Sequence, residues 1–468
     1  MLTPSDRPRG GQILLWVSAA LFVIFAGLAV CIWHAERDRL DVDPKLLKEV
    51  ADAESSTPPV ISEENEWPQW RGGRRDGVAV VKDLLEDWPA DGPPLVWEDK
   101  LSGLKKDECF SSFAVKNNKA YNLLREGSDE IVVCWDAGSG KRLWQERYNS
   151  ELPSGKEFDV YSGGARSTPA VDEGRVYTVG ATGILQCRDA DNGTLHWQHN
   201  LLKQYDAPNL KWGTAFSPLV EGGLVFTNPG GPNGKSLVAF DKKTGKEVWT
   251  SQDDPAGYSS PIGITVEGER QIVFFTGKRI VGVAAADGAL RWHYPWDTDN
   301  GVNAATPIPY VIKVENKERQ HLFISSSYNM GCVLLAIVPK EGGGLEARRV
   351  FFSKRIRSQF GSPVRVGDFI YGFNVDILVC LSLHTGEVKW SHRGFKMGSL
   401  MVVNDYLLVL SETGTLALVK ATPESYPGEK ASAEVLQGDR CWTMPVVADG
   451  KVYLRNKDKV RCLDLRKK

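Results

Sequence analysis

Short runs in which apolar and polar residues alternate, broken by glycine-bearing turns, fill most of the chain, and this period-two pattern predicts strands rather than helices. One whole unit is Arg166-Ser-Thr-Pro-Ala-Val-Asp-Glu-Gly-Arg-Val-Tyr-Thr-Val-Gly-Ala-Thr-Gly-Ile-Leu-Gln-Cys-Arg-Asp-Ala-Asp-Asn-Gly-Thr-Leu-His-Trp197, which parses as four short strands. Its opening Ser/Thr-Pro element recurs at Thr168-Pro169, Ser217-Pro218, Ser260-Pro261, Thr306-Pro307 and Ser362-Pro363, with degenerate copies at Ser112-Phe113, Ser399-Leu400 and Met444-Pro445. Eight such starts predict an all-β, eight-bladed β-propeller.

A second signal closes the unit: a glycine followed four residues later by tryptophan, at Gly140/Trp144, Gly193/Trp197, Gly245/Trp249, Gly288/Trp292 and Gly386/Trp390. The glycine suits a turn with positive φ, and the tryptophan suits an outer strand that packs against the next blade. The fifth and seventh blades lack this tryptophan and are expected to be looser. The last blade runs out of chain after Leu465 without a fourth strand, whereas Pro94 to Glu98 carries Trp97 with no blade before it. Strand 94–98 is therefore expected to complete the last sheet against 460–465, which removes an exposed edge. Cys134, Cys187, Cys380 and Cys462 align in the repeat with Ala239, Gly282 and Ala336, so the third strand calls for a small buried residue and cysteine is one solution.

The alternation is absent at the N-terminus. Ile13 to Trp33 carries no charge and spans about 31 Å as a helix, enough for the bilayer hydrocarbon core. No small-residue cleavage site follows it, so it reads as an uncleaved signal-anchor. With 1–12 as a short cytoplasmic tail, the remainder is expected on the outer side: a single-pass protein of a bacterial inner membrane with its propeller in the periplasm. Residues 34–66 read as a flexible acidic stalk, within which Pro44 to Ala53 fits one short amphipathic helix, and 67–468 read as the propeller.

Charge and composition then exclude several classes. The 57 Lys and Arg against 59 Asp and Glu give no electrostatic reason to expect nucleic acid as a partner. Neither Cys-x-x-Cys nor His-Glu-x-x-His occurs, His196 and His199 fall on opposite faces of a strand, and Asp297 to Gly301 lacks the spacing and bidentate Glu of a calcium loop. Asn192-Gly-Thr194 coincides with a repeated turn.

The cores Val132-Val-Cys-Trp-Asp-Ala-Gly-Ser-Gly-Lys-Arg-Leu-Trp144 and Leu237-Val-Ala-Phe-Asp-Lys-Lys-Thr-Gly-Lys-Glu-Val-Trp249 resemble the repeat of pyrroloquinoline quinone (PQQ)-like propellers. The leader Trp67-Pro-Gln-Trp-Arg-Gly-Gly-Arg-Arg-Asp-Gly77 is similar to the opening of PQQ-like repeat proteins of planctomycete-type bacteria. The resemblance implies eight blades and two kinds of function: quinoprotein dehydrogenases that hold PQQ with calcium, and a cofactor-free propeller lipoprotein of outer-membrane β-barrel assembly. The enzymes typically stack the quinone on a disulfide of adjacent cysteines, and this chain has no Cys-Cys pair. No cofactor is therefore expected.

In a propeller the loops entering the innermost strands crowd around the axis on one face. Here Tyr148 to Arg166, His199 to Phe216, Tyr294 to Ala305 and Phe352 to Gly361 are long, and with the last blade they bring Tyr161, Arg166, Lys211, Trp212, Tyr258, Asn303, Arg355, Arg357 and Trp442 as a candidate binding face. Trp97, Trp144, Trp197, Trp249, Trp292 and Trp390 are the candidate blade-docking residues. The expectation is a monomeric binding or scaffolding propeller for a protein or peptide partner, with a PQQ-dependent dehydrogenase or a ligand-sensing propeller as the alternative.

Overall fold

The structure, a computed structural model, describes residues 40–53, 66–101, 109–152, 164–438 and 440–467. The apolar segment 13–33 and Tyr161 lie outside them, and among the described residues no helix is long and apolar enough to cross a membrane.

Eight antiparallel four-stranded blades follow one another at 114–149, 170–200, 219–251, 262–295, 308–353, 364–393, 399–434 and 446–464, the last completed by Leu95–Lys100. That strand pairs antiparallel with Lys459–Asp464, Leu95 opposite Leu463 and Trp97 opposite Cys462. The ring thus closes by joining the first blade-forming strand to the last, and the seam carries a large cluster with Trp67, Trp97, Phe113, Trp135 and Tyr453 at its centre. Buried Arg455 ties the seam further, donating to Asn122 Oδ1 at 2.7 Å and to the Leu123 carbonyl at 3.0 Å.

The small third-strand residue is explained by register. Cys134 stands between Tyr121 on the second strand and Trp144 on the fourth, and the same row recurs as Tyr177–Cys187–Trp197, Tyr371–Cys380–Trp390 and Tyr453–Cys462–Trp97. A small centre lets the flanking rings approach over it, with Tyr–Trp centroids 5.8 to 6.0 Å apart. Burial pushes the thiols of Cys134, Cys380 and Cys462 up to about 12, so these cysteines are packing groups, not nucleophiles.

Each row also clamps its neighbour. Tyr121 Oη and Trp144 Nε1 both donate to the Ala190 carbonyl of the next blade, at 3.0 and 3.1 Å. Tyr177 and Trp197 share the Lys242 carbonyl, and Tyr453 and Trp97 share that of Ala137. The tryptophan lies on the next blade's glycine: a Cβ on Gly140, Gly193, Gly245 or Gly288 would come within 2.5 to 2.8 Å of Trp97, Trp144, Trp197 or Trp249. Each of these glycines also has φ between 73° and 78°, so it is required both for its backbone and for its missing side chain. Trp292 departs from the pattern: its ring covers Gly282 of its own blade, where an added Cβ would come within 2.2 Å of it, and its indole donates to Gln271 Oε1 of that blade at 2.8 Å.

The fifth and seventh blades lack the outer-strand tryptophan. Where other blades have tryptophan, Phe351 stands opposite Leu334 and Ala431 opposite Leu418. Both blades are braced from outside by the N-terminal part of the chain. Helix Pro44–Asp52, capped by Asp43 Oδ1, packs against the outer strand of blade 5, burying Leu46 and Val50 and pairing Glu49 with Arg319 and Asp43 with Arg348. Part of the expected stalk is therefore docked. On blade 7, Val78–Ala79 adds a parallel strand beside Ser399–Val403, Gly92 lies against Ala433 and Val435, and Asp87 pairs with Lys430 at 2.6 Å.

Candidate functional site

The Ser/Thr-Pro elements form the inner wall of the ring. Ser112 N donates to Thr168 Oγ1, Thr168 N to Ser217 Oγ, Ser217 N to Ser260 Oγ and Thr306 N to Ser362 Oγ, at 2.9 to 3.3 Å. A short hydroxyl at this position accepts the neighbouring blade's amide where inner strands converge too tightly for longer side chains, so unpaired backbone groups are avoided.

One end of the channel is filled by the leader. Trp67 exchanges backbone hydrogen bonds with Val115 of blade 1, Pro68 accepts from Val171 of blade 2, and Gly77 accepts from Val402 of blade 7. Between these anchors, Arg75 donates to the carbonyls of Pro218 and Pro261, and Arg71 to that of Pro363 at 2.9 Å. Both guanidiniums are buried, and desolvation lowers Arg71 to about 10 and Arg75 to about 9. Trp70 Nε1 donates to Thr306 Oγ1 at 2.8 Å.

Above Trp70 the channel opens into a cavity of about 340 Å³. Phe110, Trp442 and Phe360 form one wall, with ring centroids 5.1 and 4.7 Å apart, and Trp212, Tyr258 and Tyr328 another, at 5.8 and 6.5 Å. Glu412, outside the lining, fixes the Trp442 indole at 3.0 Å. The Arg166 guanidinium lies 5.3 Å from the Phe110 ring centroid, and Lys211 Nζ sits 4.8 Å from that of Trp212. The Tyr258 hydroxyl is buried without a hydrogen bond of normal geometry, although the Lys211 and Trp212 amides lie near enough to favour its ionised form. Desolvation outweighs them and raises it to about 12.

Of the residues singled out from sequence, Arg166, Trp212, Tyr258 and Trp442 line this cavity, and Lys211 stacks on Trp212. Asn303 does not face it. Fully buried, it donates to the Thr276 carbonyl at 2.8 Å and accepts from Ser326 Oγ at 2.8 Å, pinning the loop that presents Val302 and Ala304. Arg357 is held by Asn374 at 2.7 Å, and Arg355 is exposed outside the lining. These three lie outside the lining of the cavity. Sequence reasoning missed Trp70, Phe110, Tyr328 and Phe360. A positional signal for two of them was present: Phe110, Arg166, Ala215, Tyr258, Ala304, Phe360 and Trp442 each stand two residues before the repeated Ser/Thr-Pro position, and all seven line the cavity.

The ring and its axial pocket define a class: a propeller of the PQQ-like architecture with one end of its channel plugged and an aromatic-lined cavity toward the other. The family described as outer membrane protein assembly factor BamB matches residues 128–392, and the chain belongs to it. Among curated proteins, BamB of Burkholderia pseudomallei (strain K96243) is 23% identical over 402 residues, covering 81% of this chain and 92% of that one. Quinohemoprotein alcohol dehydrogenase ADH-IIG of Pseudomonas putida is 24% identical over 348 residues, covering 72% of this chain but only 41% of the enzyme. Solved structures of the same fold include BamB from Moraxella catarrhalis (TM-score 0.53, 16% identity, 80% and 98% coverage) and quinohemoprotein alcohol dehydrogenase from Comamonas testosteroni (0.61, 13%, 91% and 85%).

The walls fit a calcium-bound quinone poorly. Among the described residues no carboxylate lines the cavity, and no group of three His, Cys, Asp or Glu is placed to hold a metal. A divalent hard cation needs several oxygen ligands, carboxylates foremost.

Proposed function

We propose that this protein is a binding propeller for protein assembly in the bacterial envelope, held to the inner membrane by the segment 13–33 with its propeller on the periplasmic side. Its partner engages the long-loop face through the axial cavity, and no catalysis is involved. The observation carrying this reading is the cavity itself: rigid aromatic rings on a closed scaffold, plugged beneath by the chain's own leader, are the usual anchors of a binding hot spot. Family membership adds to it, since the matched description is that of an assembly factor. The quinoprotein alternative draws on a relative of which the chain spans less than half, and on walls that, among the described residues, carry no carboxylate.

Affinity capture from crosslinked envelopes, with the intact chain and with Trp212→Ala and Trp442→Ala, tests the face. Each variant should lose most of the captured partner while retaining the parental circular dichroism. Equal capture by all three clears the face of a role. N-terminal sequencing of the membrane fraction tests the anchor: a mature chain starting beyond Trp33 removes it.

A further inference from the structure

Away from the axial cavity, the junction of blades 5 and 6 brings three metal-ligating side chains together. Tyr310, on the inner strand Ile308–Val314 of blade 5, reaches two turns of blade 6 and meets Asp368 in the first and His384 in the second. Tyr310 Oη stands 2.9 Å from Asp368 Oδ1 and 3.2 Å from His384 Nε2, and the latter two atoms are 3.5 Å apart. In a tetrahedral zinc site, bonds of about 2.0 Å set neighbouring ligand atoms about 3.3 Å apart. The three donors already form such a triangle, and an ion about 2.0 Å from each fits just out of its plane. Imidazole and carboxylate are ligands that borderline divalent cations accept, and a phenolate oxygen adds a second anion.

Access and charge agree with an ion here. The His384 and Asp368 side chains are 28% and 31% exposed, so solvent supplies an entry path and a further ligand, whereas Tyr310 is fully buried and held in place. The Arg365 guanidinium adjoins the cluster, 5.3 Å from the Tyr310 ring centroid, with Asp368 and Asp76 offsetting its charge, and His321 meets the same ring edge-on at 6.1 Å. Burial and Asp368 keep the proton on the Tyr310 phenol, while Arg365 favours the phenolate. A dication bound by one phenolate and one carboxylate has no net charge, so Arg365 does not repel the occupied site.

We propose that Tyr310, Asp368 and His384 form a binding site for a divalent transition-metal ion of the zinc type, which ties blade 5 to blade 6. The ion takes the place of the phenol proton, which leaves to solvent, and water completes the coordination. Blade 5 carries Phe351 where blades 1 and 2 carry the docking tryptophan, so the bridge joins two blades at a junction without that lock.

Zinc chloride titrated into the chelator-treated full chain in detergent tests the site by calorimetry and near-ultraviolet difference absorption. One ion per chain should bind with the appearance of a tyrosinate band, and the thermal midpoint should rise with zinc concentration. His384→Ala, in a partly exposed turn, should weaken binding at least about tenfold and keep the parental circular dichroism. Tyr310→Phe should abolish the band, and His392→Ala, at another histidine near a carboxylate, should change neither signal. If His384→Ala unfolds, the band in the parent and its loss in Tyr310→Phe decide the matter. Zinc binding without a tyrosinate band, or equally tight binding by the parent and a folded His384→Ala, overturns the proposal. So does the absence of binding, which leaves the cluster a hydrogen-bonded contact between blades. None of these outcomes depends on partner capture at the axial cavity.

Discussion

Blades 1 and 2 and blades 5 and 7 solve the same packing problem differently. In blades 1 and 2 a Tyr–Cys–Trp row reaches across the gap and grips one carbonyl of the next blade, so the lock is built into the repeat. In blade 5 the row is Phe323–Leu334–Phe351, and in blade 7 it is Leu408–Leu418–Ala431. Neither has the tryptophan, although Tyr310 of blade 5 donates to Asp368 Oδ1 of blade 6 at 2.9 Å, and both are held by the N-terminal segment as well: a docked helix on one, an added strand and the 86–92 loop on the other. A repeat protein can thus lose its inter-blade lock at a given position when sequence outside the repeat covers the gap. Stability is then distributed between local contacts and contacts very distant in sequence.

The largest test removes a lock. Trp144→Ala deletes a ring that lies on Gly193 and donates to Ala190, leaving a cavity at the junction of blades 1 and 2, and should cost about 3–5 kcal/mol in chemical unfolding. A loss below about 1 kcal/mol would mean that Tyr121 alone supplies the clamp.

Acid should find blade 5 before blade 1. Burial holds the His321 imidazole down at about 4 in the folded protein, against about 6.5 unfolded. Between these values the unfolded chain takes up a proton that the folded one refuses, so this stability is complete above about 6.5 and is lost as pH falls toward 4. The loss approaches about 3 kcal/mol at the lower limit. Hydrogen exchange over 308–353 should accelerate in this window while 114–149, which contains no histidine, changes less. His321→Phe should remove the difference, and an unchanged pH profile in that variant would contradict the assignment.

The smallest effect is expected at the docked helix. Leu46→Ala should cost about 2 kcal/mol, at the low end for a buried leucine because a single-turn contact can relax. Exchange should rise in the outer strand Leu345–Ser353 and leave blade 2 unaffected. A uniform rise around the ring would show that the brace stabilises the whole propeller rather than one blade.

Much of the fold was legible because the physics of a blade is local. Alternation, the Ser/Thr-Pro start and the Gly-x-x-x-Trp end each answer a requirement within one unit or between adjacent units, and eight repetitions make that requirement visible. Unpaired strands at both ends of the repeat likewise point to how the ring closes. The aromatic face was legible in part, since Arg166, Trp212, Tyr258 and Trp442 stand on loops that any propeller directs to its axis. What the sequence did not disclose depends on contacts distant along the chain. Nothing local says that Trp70 floors a cavity against Thr306, that Arg71 and Arg75 cap prolyl carbonyls of three blades, or that helix Pro44–Asp52 replaces a missing tryptophan on blade 5. Asn303 and Arg357, polar residues on a promising loop, could be told from ligand-binding groups only by the partners that the tertiary fold brought to them, because a polar side chain serves whichever unsatisfied group it meets first.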